Sequence, residues 1–515
     1  MNKTPPKPGA VVGKRTATHR LHARRLGIDT QYEAIVLMHE DCDVCRAEGF
    51  AARARVQLSH AGRDIIATLY PVRGDLVGLN EVGLSEPAWR RLGLADGEEI
   101  TISHPPPLTS LSLVRGKIYG QRLDAEAIRA IVTDIVGGSY SDIHLSSFIT
   151  ACSARPLDHS EIVALTGAMV EVGTRLHWDE HPVMDKHSVG GLPGNRTTPI
   201  VVAITAASGL TMPKTSSRAI TSPAGTADTM ETLAPVALDL AAMRRVVEQE
   251  GGCVVWGGAV RLSPADDTLI RVERVLDLDS EGQLVASVLS KKIAAGATHL
   301  VLDLPVGATA KVRTGKAATS LADCLLRVAE VFGLEARALV TDGSQPVGRG
   351  IGPALEARDV LAVLRGDAAA PLDLRERALA LAGAVLELAG TAPVGTGFAH
   401  ATKILDDGHA WAKFQRICEA QGGMREPPVA RHRHPVAVAR TGRVSTIDNR
   451  RLASVAKLAG APGAKVAGVD MQVRLGNSVK AGEPMYTVHA DTPGELAYAL
   501  EFVEANPDIV EVTAQ

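Results

Sequence analysis

The chain has 515 residues, of which 45% are hydrophobic, and this is enough to build several domains with apolar cores. A formal net charge of -3 and an aromatic content of 3% argue against nucleic-acid binding, which uses basic surfaces and base-stacking platforms. Charges or glycines interrupt every apolar stretch before it reaches membrane-spanning length, and this argues against a membrane protein.

The N-terminal segment begins with basic residues and then becomes rich in predicted strands. No acidic residue precedes Asp29, and the prolines of this stretch indicate a flexible tail rather than a targeting peptide. The stretches RARVQL, RDIIATLY and GEEITISH have the pattern of short strands, and SEPAWRRLGL predicts a helix capped by Ser85. The prolines of HPPPLTS predict a boundary near Pro105. We therefore expect a β-rich domain over residues 1–104.

Six cysteines in so long a chain suit a reducing compartment, and we expect a cytoplasmic protein. Four of them are isolated, but Cys42 and Cys45 form a C-x-x-C pair. A zinc site needs two more ligands, no second pair exists, and His39 and His60 are weak candidates. We interpret the pair as structural or incidental, with a redox or metal role as the less favoured alternative.

A helical block follows the boundary at Pro105. The stretches LDAEAIRAIVTDIVGG and DHSEIVALTGAMVEVG carry apolar residues at helical spacing. Asp158 and Glu161 form the pattern of a capping box at the start of the second helix. Glycines follow both helices. The sequence therefore predicts helices over much of residues 105–180.

From His181 to about Gly422 the pattern changes to alternating strands and helices, which is typical of an α/β domain. THLVLDLPVG and EARALVTDGSQ are predicted strands, and SLADCLLRVAEVFG is a predicted helix. The stretch REPPVARHRHP marks another boundary. Short strands and the helix TPGELAYALEFVEAN then predict a compact α+β domain over residues 430–515.

Two polar stretches of the α/β part are candidates for an anion site. DKHSVGGLPGN, at 185–195, places Lys186, His187 and Ser188 beside glycines, and glycine lets backbone N–H groups approach a ligand closely. KTSSRAITSPAGTADTM, at 214–230, gathers hydroxyl side chains around Gly225. Each alone is more often a polar turn or a helix cap. Neither matches a nucleotide P-loop, and no carboxylate cluster that would hold a metal appears.

Taken together, these stretches and the later VLDLDSEGQLVASVLSKKIAAG, LVTDGSQPVGRGIGPALEARD and RLGNSVKAGEPMYTVHA resemble the thymidine phosphorylase and AMP phosphorylase family. The resemblance covers essentially residues 110–500, and the preceding residues resemble the extra N-terminal domain of the AMP phosphorylase branch. It implies a multidomain α/β protein in which a small N-terminal barrel of double-psi type precedes a helical domain, a large α/β domain with a mixed sheet, and the C-terminal α+β domain. It assigns 105–180 with 265–295 to the helical domain, and 181–264 with 296–425 to the phosphate-binding α/β domain.

The resemblance also implies the reaction, in which inorganic phosphate attacks the anomeric carbon of a nucleoside or nucleotide and displaces the base. Such an enzyme must hold the phosphate and neutralise the leaving base. By resemblance, Lys186 and Ser188 form one wall of the phosphate site, and Ser216 and Thr226 form the other. No cofactor and no metal are expected, because phosphate is the co-substrate and the site itself supplies positive charge.

Asp279 is the residue that the resemblance places as proton donor to a purine, next to Ser287 at the base. To hold a proton at neutral pH, such an aspartate must be desolvated or share its proton, because the carboxyl group of an aspartate in water is ionised at that pH. Without the resemblance we would prefer a role as helix cap for Asp279. His187 is the alternative acid, as in pyrimidine-specific members, although a hydrogen-bonded structural histidine is the more common case.

The base and sugar are predicted from departures from the pyrimidine-specific pattern. Those members carry a base-binding arginine at the position that is Val272 here, with Arg271 beside it. Where they have SGRGLGHTGGT, this chain has the more hydroxyl-rich SSRAITSPAGT, which suits a second phosphate. We therefore expect a nucleoside 5′-monophosphate, with AMP first, and thymidine as the alternative. The expected substrate-binding residues are Gly191, Ser217, Arg218, Ala219, Ile220, Thr221, Ser222, Ser287, Lys291 and Lys311.

Two other classes fit less well. A phosphoribosyltransferase of related fold would need an acidic magnesium site, and no acidic pair stands beside either polar stretch. A nucleotide sensor without activity would be expected to lose part of the site, yet every residue of the phosphate site is present. We also expect a homodimer through the helical domain, or a larger homo-oligomer.

Overall fold

A computed structural model describes residues 19–219, 222–278 and 280–514. The described chain forms two compact units: one lies within residues 1–115 and 133–148, and the other within 116–132 and 149–515. The basic N-terminal tail, Ile220, Thr221 and Asp279 lie outside the described residues.

The first unit contains a closed six-stranded barrel, which confirms the barrel-like N-terminal fold. Its strands have the order β1-β5-β2-β4-β3-β6, and the β1–β5 and β2–β4 pairs are parallel while the others are antiparallel. Inward-facing residues alternate along the strands, as at Val36 and Met38, both fully buried. The elements are β1 (His19–Arg25), β2 (Ile35–His39), α1 (Asp43–Glu48), β3 (Arg55–His60), β4 (Arg63–Val72), β5 (Glu81–Leu84), α2 (Glu86–Leu92) and β6 (Glu99–Ser103).

Four consecutive helices follow the barrel: α3 (Ser110–Ile118), α4 (Ala125–Val136), α5 (Asp142–Ala154) and α6 (His159–Glu171). The predicted capping box at the start of α6 is confirmed. Glu161 N donates to Asp158 Oδ1 at 3.1 Å, and Asp158 N donates to Glu161 Oε2 at 2.9 Å. The same Glu161 carboxylate accepts from Lys117 Nζ at 2.8 Å in a buried ion pair. Both the capping box and this ion pair therefore hold the start of α6 in place.

The α/β part has β7 (Met184–Ser188), β8 (Met212–Ser216), β9 (Gly252–Trp256), β10 (His299–Val306), β11 (Glu335–Asp342) and β12 (Gly350–Ile351). Strands β11, β10 and β7 form a parallel sheet, β8 and β9 form a parallel pair, and a single parallel bridge joins Val183 to Thr211. Strand β12 instead joins a wholly antiparallel sheet of the C-terminal part. Among the described residues, the other strands of the α/β part pair only in parallel, so the mixed sheet predicted for this domain is not found.

Helices cover these strands, and α7 is the most deeply buried because Ile200 to Ile204 are all fully buried. The helices of this part are α7 (Thr198–Ala207), α8 (Thr226–Glu231), α9 (Leu240–Glu250), α10 (Gly257–Val260), α11 (Pro264–Leu276), α12 (Glu281–Ala294), α13 (Gly315–Val331), α14 (Pro353–Arg365), α15 (Leu372–Leu388), α16 (Gly397–Asp406) and α17 (His409–Ala420). Helix α12 packs against α6, and Gly282 allows this, because a β-carbon there would lie 3.1 Å from Cγ1 of Ile162 on α6.

The C-terminal part consists of β13 (His432–Ala437), β14 (Gly442–Ile447), α18 (Asn449–Leu458), β15 (Gly468–Met471), β16 (Ser478–Val479), β17 (Pro484–Ala490), α19 (Pro493–Ala505) and β18 (Val510–Thr513). Two sheets form, with strand orders β12-β15-β17-β13 and β16-β14-β18. The fold class is thus a multidomain α/β protein with an N-terminal barrel, helices, a large α/β part and a C-terminal α+β part. The predicted domain boundaries stay a prediction. Within the described ranges, no helix is long and apolar enough to cross a membrane.

Candidate active site

The carboxyl end of strand β7 carries the first predicted wall of the site. Lys186, His187 and Ser188 are the last residues of the strand, and the glycine-rich loop begins only after them. Because side chains alternate along a strand, Lys186 and Ser188 lie on one face and His187 on the other. In the parallel register with β10, Ser188 stands opposite Asp303.

Lys186 is almost fully buried, with 1% of its surface exposed, and its ammonium group is anchored. Lys186 Nζ donates to Thr197 Oγ1 at 2.7 Å. Burial lowers the pKa of Lys186 to about 8, and the nearby Asp303 carboxylate acts against that shift. The lysine is therefore charged at neutral pH, but its pKa lies only slightly above that pH.

Ser188 belongs to a hydrogen-bonded network around Asp303. Ser188 Oγ donates to Asp303 Oδ2 at 2.7 Å, Asn195 Nδ2 donates to Ser188 Oγ at 3.0 Å, and Thr341 Oγ1 donates to Asp303 Oδ1 at 2.6 Å. Burial acts to raise the pKa of Asp303, but Lys186 and these hydrogen bonds outweigh it and hold the pKa below its usual range. The carboxylate is therefore ionised; it holds Ser188 by a hydrogen bond and acts on Lys186 only electrostatically.

The second predicted wall lies at the end of β8 and the start of α8. Ser216 closes β8, and its buried hydroxyl has no hydrogen-bond partner among the described residues. Thr226 opens α8, and its hydroxyl accepts from Arg196 Nη1 at 2.9 Å. Gly225 brings these segments together, because a β-carbon at this position would lie 2.5 Å from the Ser217 carbonyl oxygen. A buried hydroxyl left unpaired is costly, so Ser216 is the polar group of this wall that most needs a ligand.

Arg196 and Glu356 support this wall from behind. Arg196 Nε donates to Glu356 Oε2 at 2.6 Å in a buried ion pair, and Thr229 Oγ1 donates to the same carboxylate oxygen at 2.9 Å. Sequence reasoning missed both residues of the pair, because they lie 160 positions apart and no local pattern links them. Asn195 and Asp303 were missed too, and Asp303 could have been noticed as a carboxylate inside an apolar strand.

Arg218, predicted to bind substrate, is held by acidic neighbours. Its guanidinium donates to Glu231 at 2.7 and 2.8 Å and to Asp228 Oδ1 at 3.2 Å, and it lies over the Trp256 ring. The hydrogen bond from Arg218, with Lys465 also contributing, lowers the pKa of Glu231 to about 2. These acidic side chains hold the guanidinium of Arg218 in place, and its role in substrate binding stays a prediction.

The neighbours of Arg218 have backbone or local roles. Ala219 N donates to Asp228 Oδ2 at 2.6 Å, and the Ser217 carbonyl accepts from Ala227 N at 3.3 Å. Ser222 Oγ donates to the Ala224 carbonyl at 2.9 Å. Ile220 and Thr221, also predicted to bind substrate, lie outside the described residues.

Helix α12 carries the predicted base-side residues Ser287 and Lys291, which lie four residues apart on one helix face. Lys291 Nζ lies 2.5 Å from Asp266 Oδ2, and this ion pair ties α12 to α11. The N-cap of α12 is Ser280, whose hydroxyl accepts from Gln283 N. Asp279, the predicted proton donor, lies outside the described residues.

His187 faces a cluster of lysines rather than an acid. Its pKa is well below the usual value because it is buried and because the positive charges of nearby lysines, Lys292, Lys214, Lys291 and Lys186, act against its protonation. At neutral pH its imidazole is therefore uncharged, and it cannot act as a ready proton donor.

Asp185 balances part of this lysine charge. Its carboxylate lies 3.2 Å from Lys214 Nζ and 3.0 Å from Lys292 Nζ, and all three side chains are buried. Burial lowers the pKa of Lys292 to about 7, against the pull of Asp185. With two lysines to one carboxylate, the cluster makes this side of the site positive.

Gly191 and Lys311, both predicted substrate-binding residues, lie next to each other. A β-carbon added at Gly191 would lie 3.4 Å from Cβ of Lys311, and Gly191 has the positive φ of 92° that favours glycine. The chain thus places a second lysine beside the glycine loop that follows Ser188.

Three family models match the chain. The helical bundle domain of a glycosyl transferase family matches residues 111–173, and the α/β domain of that family matches 180–411. The pyrimidine nucleoside phosphorylase C-terminal domain matches 443–510.

Full-length relatives agree with these matches. A protein of Sphingopyxis alaskensis, provisionally named thymidine phosphorylase, is 62% identical over 498 residues, covering 96% of this chain and 97% of that protein. A Polaromonas protein with the same provisional name is 60% identical over 510 residues, covering 99% of each chain. Among solved structures, anthranilate phosphoribosyltransferase from Saccharomyces cerevisiae matches with a TM-score of 0.50 and 15% identity, over 61% of this chain and 98% of that one. This last likeness concerns the fold alone.

Proposed function

The chain belongs to the thymidine phosphorylase and AMP phosphorylase family of pentosyltransferases, and on that premise we propose that it cleaves nucleoside 5′-monophosphates, AMP first, with inorganic phosphate. The products are the free base and ribose 1,5-bisphosphate. A phosphate oxygen forms the new bond to the anomeric carbon, and the bond from that carbon to the base nitrogen breaks with its electron pair going to the base.

The phosphate site of this proposal is built from Lys186, Ser216 and Thr226. Lys186 offers a buried ammonium group, and Ser216 offers a buried hydroxyl without a hydrogen-bond partner in the part of the chain that the structure describes. Such preorganised donors, in a region largely closed to water, stabilise the charge that develops during displacement. Ser188 is a fourth ligand in the proposal, although its proton points to Asp303 in this conformation.

The proton for the leaving base comes, in this proposal, from Asp279 and not from His187. The low pKa of His187 supports this choice, because an uncharged imidazole would have to lose its last proton to act as an acid. The role of Asp279 rests on the family resemblance. Neutral His187 then contributes a hydrogen bond or simply fills the space beside the lysines.

The proposed preference for AMP over a pyrimidine nucleoside rests on Val272. At the position of the pyrimidine-binding arginine, Val272 lies on helix α11 with 7% of its surface exposed, packed inward. Arg271 is the preceding residue, and one residue along a helix turns the side chain by about 100°. The arginine is therefore displaced from the direction that Val272 takes, while Lys311 beside Gly191 offers a cation for the 5′-phosphate.

Thymidine phosphorolysis is the second candidate, because relatives about 60% identical over the full length carry that provisional name. In that case Arg271 or His187 would contact the pyrimidine, and the hydroxyls of 214–230 would be structural.

We further propose a homodimer without a resident cofactor, in the cytoplasm. Ile118 and Tyr119, at the end of α3, are 46% and 84% exposed and would suit a subunit contact. The six cysteines, all free, suit a reducing compartment. Light scattering that finds a monomer at micromolar concentration would contradict the dimer.

A base-release screen tests the proposed activity. Purified protein is incubated with phosphate and, in separate reactions, AMP, CMP, UMP, thymidine or uridine, and free base is quantified by chromatography. We expect adenine from AMP, released only when phosphate is added, or arsenate in its place. Release of thymine alone would favour the second candidate, and no release from any substrate with either anion would favour a sensor.

A further inference from the structure

Outside the active site, the geometry points to a redox-active dithiol in the barrel unit: Cys42 and Cys45 close reversibly to a disulfide by exchange with a small disulfide of the glutathione type. Both residues belong to the core of the barrel, and both are free thiols in this structure.

The two cysteines are placed for an intramolecular disulfide. Cys42 is the N-cap of α1 and Cys45 is the third residue of that helix, and Cys45 N donates to Cys42 Sγ at 3.3 Å. In helical geometry, residues three apart have Cα atoms about 5 Å apart. A disulfide accepts Cα separations of about 4.4–6.8 Å, so the bond can form with little movement of the backbone.

A cavity gives a reagent access to one of the two sulfurs. It has a volume of 370 Å³ and is lined by Cys45 together with Phe50, Pro71 and Ala52. Glu40 and Arg73 also line it and pair at 2.8 Å, and 85% of the Arg73 side chain is exposed, so this wall reaches the protein surface. Cys42 is fully buried and does not line the cavity. Cys45 therefore meets the reagent, and Cys42 acts afterwards from within the protein.

The charges at the cavity indicate the kind of reagent. Arg73 and Glu40 offer one cation and one anion, and they suit a small disulfide that carries both carboxylates and ammonium groups. Zinc is a poorer occupant, because in the part of the chain that the structure describes no three His, Cys, Asp or Glu side chains are grouped to hold a metal.

The acid–base properties of the pair support the exchange. The hydrogen bond from the Cys45 thiol, together with backbone N–H groups and despite burial, lowers the pKa of Cys42 to about 6. Cys42 is then a thiolate at neutral pH, whereas the hydrogen bond to Cys42, together with burial, raises the pKa of Cys45, which keeps its proton. Because the thiolate is the reactive form, Cys45 must lose this proton when it reacts, and the adjacent Cys42 thiolate is the base that accepts it. Burial raises the pKa of Cys152 and of Cys418 to about 12, and neither residue lines this cavity.

The exchange balances in two steps. The Cys42 thiolate takes the Cys45 proton while the Cys45 sulfur attacks the small disulfide RSSR. The S–S bond of RSSR breaks, a mixed disulfide forms on Cys45, and the departing RS⁻ takes the proton back from Cys42 and leaves as RSH. The Cys42 thiolate then attacks Cys45 Sγ and releases RS⁻. Two protein sulfurs are oxidised to one disulfide, and RSSR is reduced to two thiols.

The test uses the full-length folded protein with oxidised glutathione as the probe at neutral pH. Free thiols are then alkylated and the protein is mapped by mass spectrometry. We expect a disulfide between residues 42 and 45, four alkylated cysteines out of six, and full reversal by a reducing thiol. Six alkylated thiols, a disulfide elsewhere, or closure only in denaturant would overturn the inference.

Variants separate the two roles. Cys42→Ser lacks the internal nucleophile and should accumulate one glutathione on Cys45, whereas Cys45→Ser should accumulate none at this site. Cys324→Ser is the matched control, because Cys324 is 7% exposed and Cys45 is 5% exposed, and it should leave closure unchanged. A Cys42→Ser protein that takes up no glutathione while wild type closes would contradict the assigned order of attack.

Discussion

The hydroxyl of Ser188 donates a hydrogen bond to the buried carboxylate of Asp303 across 2.7 Å, and the two residues stand opposite each other on neighbouring parallel strands. This relationship links the end of β7 to the centre of the sheet. Asp303 also acts electrostatically on Lys186, whose pKa it holds up against burial. We therefore regard Asp303 as a positioning residue for both predicted phosphate ligands on β7.

Asp303→Asn should lower kcat/KM for phosphate by about 10- to 150-fold, because a hydrogen bond to a charged group contributes about 1.5–3 kcal/mol. The measurement is initial rate against phosphate concentration at fixed nucleotide. Asp367→Asn, at an exposed carboxyl after α14, is the control and should match wild type. Equal kinetics in Asp303→Asn and the control would remove Asp303 from the phosphate site.

The pH dependence of phosphate use should report Lys186. Its folded-state pKa is about 8, so the ammonium is charged below that pH and is lost as the pH rises through it. We predict that kcat/KM for phosphate falls above pH 8. Asp303→Asn should move this fall to lower pH, because Asp303 raises the lysine pKa.

Lys186→Arg provides the control for that profile, since arginine stays charged throughout and the titration of phosphate itself is common to both proteins. Its profile should lack the alkaline fall, whatever its absolute rate. An identical fall in both proteins would assign it to another group.

Much of the fold could be predicted, because local sequence patterns determine many of its helices and strands. The capping box of Asp158 and Glu161 and three of the six barrel strands, β3, β4 and β6, follow from residue spacing alone. The residues that support the site could not be predicted, because Asp303, Arg196 and Glu356 make their contacts with residues far away in the sequence. Glu356 lies 160 residues from the arginine that it binds, and nothing in the local sequence marks that contact.

The role of His187 was left open by sequence reasoning for a related reason. The lysines that lower its pKa come from three separate elements, β7, β8 and α12, which only the fold brings together. The cap of α12 was also predicted one residue early as the alternative role of Asp279, whereas Ser280 is the N-cap.

Ser216→Ala should separate function from stability. Among the described residues its hydroxyl has no hydrogen-bond partner, so its loss should leave the melting temperature unchanged or slightly raised. Phosphate use should nevertheless worsen by roughly 2–4 kcal/mol in the barrier if the hydroxyl binds the anion. Calorimetry and phosphate kinetics on one preparation measure both.

Thr205→Val is the matched control for Ser216→Ala, because Thr205 on α7 also has a buried hydroxyl without a hydrogen-bond partner among the described residues. It should change neither phosphate kinetics nor the melting temperature by much. If Ser216→Ala behaves the same way, Ser216 is not a phosphate ligand.

His187→Gln should keep turnover within about tenfold of wild type, because it removes at most one neutral hydrogen bond. Asp279→Asn should reduce kcat by about 10²–10⁴-fold, because it removes the proposed proton donor. Single-turnover rates of base release from AMP compare the two directly. A larger loss in His187→Gln than in Asp279→Asn would reverse the assignment of the acid.

The measurement that tests the central claim most directly is the ratio of kcat/KM for AMP to kcat/KM for thymidine, with the sugar product identified by phosphorus NMR. Both substrates are assayed at saturating phosphate on the same preparation, and adenosine is included because it lacks only the 5′-phosphate of AMP. We predict a ratio well above one, a product with two phosphate monoesters, and poor use of adenosine. A ratio below one, with 2-deoxyribose 1-phosphate as the main product, would contradict the account and make buried Val272 irrelevant to the choice of base.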